Sequence, residues 1–499
     1  MHPRQQIAII GSGASAIYFL KHLLDKAGIL HHHIGEISIF EQGDITGMGM
    51  PYSPKTTDRY NMSNISSEEL PELPITFGDW LREQDPSYLM ELGVEDLEIS
   101  DSEVYSRLSL GRYLNDQYKT IIARLAGKSI VIREFPNCRI NDVHDIAAED
   151  KVELCTQQGK LLRFDRVIIA TGHVWPGADK PENGLFASPW PISKLLPEEG
   201  KYHDFSIGTL GASLSAFDVI ASIAHRHGEF VEDSGGLVFH PFPGTENFII
   251  TMHSSHGLLP HLQFDQVEPL REIYRHIDRE GLLALVNADG FLRIESYFDK
   301  VCRPALTIAF GKDALPSIVD LLADPQFGLI DFVVKMTDEH EYPDAFEGMR
   351  FEMVEAKKSV LQHRPIHWKE VLDDLIYTLN FHAELMPAED HLILRSHVMP
   401  FLLNVMAAMP LNSGNMILAL YDAGKLGLIA GKVNINEHSE QDGGTTITVE
   451  DDDKTSTIDY SMFVDCSGQK RLNSTNIHLR DLLKTARHVA PAPVFVNQN

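Results

Sequence analysis

The spacing of apolar positions changes period several times along the chain, and each change marks an element. Gln6–Ile10 ends in a continuous apolar run, Gly-Ser-Gly follows, and then Ile17, Leu20, Leu24 and Ala27 share one face at helical spacing. The pattern predicts strand, turn and helix, and a second strand over "EISIFE" (36–41). Residues 42–74 are rich in Gly, Pro, Ser and Asn, and a loop of that length in a compact domain is a functional candidate. Helical periodicity returns in "FGDWLREQ" and "LGRYLNDQYKTIIARLA". Strand patterns follow in "SIVIREF", "KVELCTQ" and "LLRFDRVIIATG".

A second strand–turn–helix unit, "FSIGTLGASLSAFDVIASIAHRHG", begins at residue 205, with a further strand in "NFIITMHSS". Residues 266–430 have mostly helical periodicity. A β-rich tail, "GKVNINEH" and "TTITVEDDDKTSTIDYSMFVDCSG", carries "EDDDK" as a solvated hairpin tip. Two βα units separated by a β-meander predict an α/β protein with two Rossmann-like dinucleotide-binding lobes, the second bearing a helical insertion.

Composition narrows the partners. The formal net charge is −28, and no basic block offsets it, so the surface repels phosphate backbones and anionic lipid. The expected partner is a small-molecule substrate, with neither nucleic acid nor membrane. Cys138, Cys155, Cys302 and Cys466 are scattered without a Cys-x-x-Cys pair, which fits a reducing compartment and argues against a disulfide framework or a zinc site. The first strand starts within a few residues of Met1, leaving no room for a signal peptide, and the longest apolar stretch is too short to span a bilayer. A cytoplasmic protein is the expectation.

In "GSGASA" the fingerprint positions are Gly11, Gly13 and Ala16: the first permits the turn, the second lets backbone approach a pyrophosphate, the third keeps helix and strand close. Ser12, Ala14 and Ser15 complete the stretch, and the helix N-terminus aims free N–H groups at phosphate. Glu41 ends the second strand, placed to accept from a ribose diol; the insertion "AGILHHHIG" lengthens its spacing from Gly11. His31–His33 read as a solvated loop, since three consecutive residues of a regular element cannot face one ion.

The strand ending in Ala170-Thr171-Gly172 resembles the Ala-Thr-Gly turn of two-dinucleotide-binding flavoproteins, and "FVDCSG" (463–468) resembles their second such strand. The resemblance implies a glutathione-reductase-like FAD domain interrupted by an NAD(P)-binding domain: 1–204 FAD-binding, 205–265 NAD(P)-binding-like, 266–430 helical insertion, 431–499 the last FAD-binding part. "GMGMPYSPKTTDRYNMSN", "YSRLSLGRYLNDQY" and "AMPLNSGNMILALYDAGKLGLIAGKV" narrow it to a flavoprotein group that includes a urate hydroxylase and an aspartate N-hydroxylase, which is class B monooxygenase-like. That group's pattern places Gly47, Gly49 and Asn61 beside the flavin, with Arg107 and Tyr113 in the same domain. It makes Asn61 the candidate catalytic residue, its amide bonding to a flavin edge or to a hydroperoxide on it, against a plain turn-forming role.

In the second unit, Gly211, Ser213 and Ser215 stand in the nicotinamide fingerprint, with Ser213 replacing the middle glycine. After the next strand the relatives carry an arginine for a 2′-phosphate; here Ser254, Ser255 and His256 stand instead, so NADPH versus NADH is open, as is a structural unit without nicotinamide. Gly-Ala-Ser-Leu-Ser also resembles a nucleophile elbow with Ser213 at the bend. The resemblance implies NAD(P)H-driven, FAD-dependent hydroxylation of a small polar substrate through a C4a-hydroperoxyflavin. The alternatives are a flavin reductase or oxidase without oxygen insertion, or a non-catalytic flavin-binding protein. The tail "LLKTARHVAPAPVFVNQN" carries no final Gly-Asp strand for the ribityl chain.

Overall fold

The structure is a computed structural model describing residues 4–172, 175, 177–340, 342–405, 408–436, 443–451 and 454–468. The chain divides into two compact units, one built chiefly from Met1–Lys180 with Phe186–Leu196, the other from Pro181–Leu185 with Pro197–Ser467.

In the first unit, β1 (Gln5–Ile10), α1 (Ala14–Asp25), β2 (Ile34–Phe40), α2 (Arg107–Ala126) and β3 (Val131–Phe135) build one side of a parallel sheet. An antiparallel meander follows, β4 (Ile140–Ile146), β5 (Lys151–Thr156) and β6 (Leu161–Phe164), and β7 (Arg166–Ile169) returns beside β1. The sheet order is β3-β2-β1-β7. The apolar run of β1 is buried on both faces. Ile7 and Ile9 join Ile17, Leu20, Leu114 and Ile121 on the helical side, while Ala8 and Ile10 meet Val143 and Leu154 of the meander. Burial on both faces is why β1 is continuously apolar rather than alternating.

The second unit repeats that plan. The two-residue β8 (Leu185–Phe186) precedes β9 (Ser206–Leu210), α3 (Leu214–His227), the hairpin β10 (Gly228–Asp233) and β11 (Gly236–Pro241), and β12 (Ile249–Ser254). Helices occupy the chain between Arg279 and Asp422, among them α4 (Leu329–His340), α5 (Ala345–Leu361) and α6 (His367–Phe381). They close around their own core, in which Phe298, Phe310, Phe332, Leu375 and Phe401 meet. Then come β13 (Leu426–Ala430), the meander β14 (Lys432–Ile435), β15 (Thr445–Asp451) and β16 (Lys454–Tyr460), and β17 (Met462–Asp465). The parallel order is β13-β12-β9-β17, with β8 at the edge. The architecture is thus the α/β, doubly Rossmann-like one with a helical insertion.

Two boundaries differ from the sequence reading: residues 181–185 and 197–204, expected with the first FAD-binding part, lie in the second unit. So do residues 431–467, expected with the last FAD-binding part. β17 hydrogen-bonds β9, with Met462 opposite Ile207 and Asp465 opposite Leu210. The meander's Ile447, Val449 and Tyr460 pack with Phe463 against Leu210 and Ile429. A short strand buried on both faces carries no mark of which parallel neighbour it will take, so the pattern could not assign it. The β10–β11 hairpin was also not anticipated, although the Ser234-Gly235-Gly236 stretch at its turn has the residues such turns favour.

Candidate functional site

The β1–α1 turn is shaped by two glycines acting differently. Gly11 has φ +93°, and a Cβ there would lie 2.2 Å from Ala170 O, because β7 ends against the turn. Gly11 N–H donates to Phe40 O at 2.8 Å and Ala170 N–H to Ile10 O at 2.8 Å, tying the three strand ends together. Gly13 is the N-cap of α1 in an extended conformation, with no side chain capping the helix. The first-turn N–H groups of α1 therefore have no side-chain partner from the cap, the arrangement that receives a phosphate. A Cβ at Gly13 would lie 3.2 Å from Gly49 Cα, and Gly49 itself has φ +86°. The loop after β2 thus crosses over the turn, and Gly13 serves that crossing as well as any ligand. Ala16 is fully buried between helix and sheet, whereas Ala14 is half-buried and Ser15 exposed.

Glu41 and Ser12 stitch this crossing. Ser12 is fully buried; its N–H and Oγ donate to Glu41 Oε2 at 3.2 and 2.7 Å, and its Oγ accepts from Gly47 N–H at 3.0 Å. Glu41 Oε1 accepts from Gly43 N–H at 2.9 Å. A carboxylate offers about four lone-pair sites, so room for a further donor such as a ribose hydroxyl remains. Ser12 therefore binds the loop, and its side chain points away from the open turn. Gly47, φ +73°, packs on the Tyr118 ring.

Asn61 is buried with no exposed surface. Its Oδ1 accepts from Thr57 Oγ1 at 2.7 Å and Asp58 N–H at 3.2 Å, and its carbonyl accepts from Arg107 N–H at 2.8 Å. The side-chain oxygen thus closes the 57–61 turn, the structural role weighed for it. Arg107, first residue of α2, donates from Nε to Met62 O at 3.0 Å and lies 5.3 Å over the Trp190 ring. Burial raises the pKa of Tyr52, and the Arg107 charge pulls it partly back. Tyr52 and Trp190 were not singled out from sequence; only a fold that returns residues 186–196 to this unit makes Trp190 Arg107's neighbour. Tyr113 is a core residue donating to Ile75 O at 2.9 Å. Thr171 and Gly172 (φ +69°) are exposed at the end of the β7 segment.

The second unit mirrors the first. Gly211 has φ +114°, a Cβ there would lie 2.9 Å from Cys466 O, and its N–H donates to His253 O at 2.7 Å. Cys466 N–H donates to Leu210 O at 2.8 Å, as Ala170 does to Ile10. Ala212 and Ala216 are buried like Ser12 and Ala16, and exposed Ser213 stands where Gly13 does, with φ −136° and no side-chain cap bond. That conformation is extended, not the strained bend of a nucleophile elbow, and Ser213 bonds no histidine or carboxylate among the described residues. The hydrolase reading therefore has no support. Ser215 is half-buried; Ser254 ends β12, and Ser255 and His256 are exposed beyond it. The tail residues 469–499 lie outside the described residues. Among the described residues no helix is long and apolar enough to cross a membrane.

Residues 8–174 match a family model described as FAD-NAD(P)-binding, and residues 282–406 one described as the YdhS-like middle domain. The first unit thus contains an FAD/NAD(P)-binding domain. Over 479 residues the chain is 29% identical to the uncharacterized protein YdhS of Escherichia coli (strain K12), covering 95% of this chain and 85% of that protein. Among solved structures it is similar to the reduced form of the ornithine hydroxylase PvdA of Pseudomonas aeruginosa (TM-score 0.46, 10% identity, 97% of this chain and 86% of that one). It is also similar to the ornithine N-hydroxylase KtzI of Kutzneria sp. 744 (TM-score 0.45, 10% identity, 95% and 83%). A match to cyclohexanone monooxygenase in its cyclohexanone-bound, rotated form has a TM-score of 0.31 and 15% identity, and spans 52% of this chain and 41% of that one.

Proposed function

We propose that this protein is an FAD-dependent oxidoreductase, an NAD(P)H-driven monooxygenase acting on a small polar substrate. The observation that carries the reading is the β1–α1 turn: an uncapped helix N-terminus, side-chain-free at Gly11 and Gly13, with Glu41 at the end of the next strand. These residues fit a dinucleotide. The α1 N–H groups would hold the diphosphate, Gly13 would let it approach, and Glu41 would take a ribose hydroxyl while keeping its hold on Ser12. The bound flavin supplies the redox chemistry, and the protein supplies orientation and a dry surround. Arg107, bonded to Met62 O and set over the Trp190 ring, would supply a fixed cation to this unit's candidate site. In the second unit the Gly211 turn and the α3 N-terminus would hold a nicotinamide dinucleotide, with Ser213 offering a hydroxyl where relatives offer glycine.

The test is direct. Purified protein is expected to be yellow, to release FAD on heating, to be bleached by NADH or NADPH without air, and to place one atom of ¹⁸O₂ into a product. Colourless, folded protein that takes up no FAD overturns the reading. The Ser213 substitution favours a second reading, a flavin protein without nicotinamide turnover, and bleaching by dithionite but by neither nicotinamide would select it.

A further inference from the structure

The helices of the second unit surround an apolar cavity that the flavin reading does not use. Its volume is about 30 Å³, and Phe298, Phe332, Leu375 and Phe401 stand on its wall. Among the described residues that line it, every side chain is aliphatic or aromatic except Cys302. Tyr297 brings a hydroxyl to the wall, but that group donates to Leu375 O at 2.8 Å. Burial pushes the Cys302 thiol up, so it stays S–H and packs as a small hydrophobe. The wall therefore offers no side-chain polar group in need of a partner. A buried water needs at least about two polar partners, so this space suits an apolar occupant better than water.

Two π-helical turns converge on the cavity, Phe298–Cys302 and Leu394–Val398. Each interrupts an otherwise α-helical run, one over residues 294–312 and the other over 388–405. Such turns hold well under about 1% of residues in soluble proteins and concentrate at functional sites, so two on one cavity single it out. Both give their first and last residues to the wall: Phe298 and Cys302 from one, Leu394 and Val398 from the other. Exposure follows the same pattern. Cys302, Ile376 and Leu394 are half-buried, and the other wall residues are buried. Two of the three wall positions that keep solvent-accessible surface thus belong to the π turns.

We propose that this cavity is a binding site for a small apolar molecule of the short-hydrocarbon class. The attraction is dispersion: wall atoms that face a void lack contact partners on that side, and an apolar guest supplies them. The lining sets the class. A hydroxyl or a charged group would leave its water and meet neither donor nor acceptor on these side chains. Volume sets the size, since a space of about 30 Å³ takes a guest of about one or two heavy atoms.

The test uses the full-length protein with ¹³C-labelled Ile, Leu and Val methyl groups, titrated with xenon, with ethane and with methanol, the polar molecule of ethane's size. Xenon and ethane are expected to shift the Val333, Leu375 and Val398 methyl resonances saturably, while those of Ile7 and Ile9 in the first unit's core stay in place. Methanol is expected to bind at least tenfold more weakly than ethane. Val398→Phe, which brings a ring into the cavity from one π turn, is expected to weaken both apolar guests at least tenfold. Methanol binding as tightly as ethane overturns the proposal, as does the lack of a saturable shift, an equal shift at Ile7 and Ile9, or unchanged binding to Val398→Phe. Should Val398→Phe fail to fold, the ethane–methanol comparison at the wall methyls decides.

Discussion

Gly11 and Gly13 stand two positions apart and answer to different constraints. At Gly11 both φ and the Ala170 carbonyl exclude a side chain, so Gly11→Ala is expected to cost about 1–3 kcal/mol of stability. Gly13 has φ −72°, open to any residue, and its close neighbour is a loop Cα. Gly13→Ala should therefore cost no more than about 1 kcal/mol, yet lower FAD affinity at least tenfold. Urea melts and flavin titration of both variants check this; equal loss of stability would remove the distinction. Ser12→Ala leaves Gly47 N–H without its acceptor and removes the Oγ–H bond to Glu41, whose two backbone donors remain, a loss of about 1–3 kcal/mol measurable by the same melts. The fingerprint glycines were legible in sequence. That Ser12 faces inward to Glu41 was not, because only the folded loop 43–49 supplies its partners.

At the scale of elements, the second unit buries two neutral histidines. His227, the last residue of α3, donates from Nδ1 to Ile223 O at 2.6 Å and accepts His203 N–H on Nε2 at 2.8 Å. His253 on β12 meets Tyr460 Oη at 2.8 Å through Nε2, while its Nδ1 is buried without a partner. Burial pushes each down to about 4. An unfolded histidine takes up a proton near pH 6.5, which the folded ones refuse until about pH 4. Their stabilisation is therefore complete above about pH 6.5 and is lost as pH falls toward about 4, by about 3 kcal/mol for each. Urea melts at about pH 7 and about pH 4.5 should show the loss, and His253→Phe should remove a large part of it. An unchanged acid sensitivity in His253→Phe would contradict that assignment. For His227, the partner of Nε2 came from the return of residue 203 to the end of α3, which no local pattern of the sequence shows.

For the whole molecule, a net charge of −28 means that folding gathers like charge. Raising salt from about 0.01 M to about 0.15 M shortens the screening length and should raise the unfolding midpoint. A midpoint that falls with salt would show that attractive pairs, such as Arg275 with Glu268 and with Asp374 of α6, outweigh the repulsion.

Local chemistry is what the sequence by itself determined. The strand–turn–helix units at residues 5–25 and 206–227, the acid at 41, and the helical character of most of 279–422 each follow from neighbours a few residues apart, through apolar period and glycine placement. Tertiary structure alone decided partnership. It sent β17 and its meander to the second unit, set Trp190 over Arg107, and drew His261, Glu352 and Lys369 into one buried cluster from positions as far as 108 residues apart. The physical reason is that a backbone conformation is selected by local sterics and hydrogen bonds. Which buried surfaces meet is selected by shape and polar satisfaction summed over the folded chain, and no single stretch of sequence carries that sum.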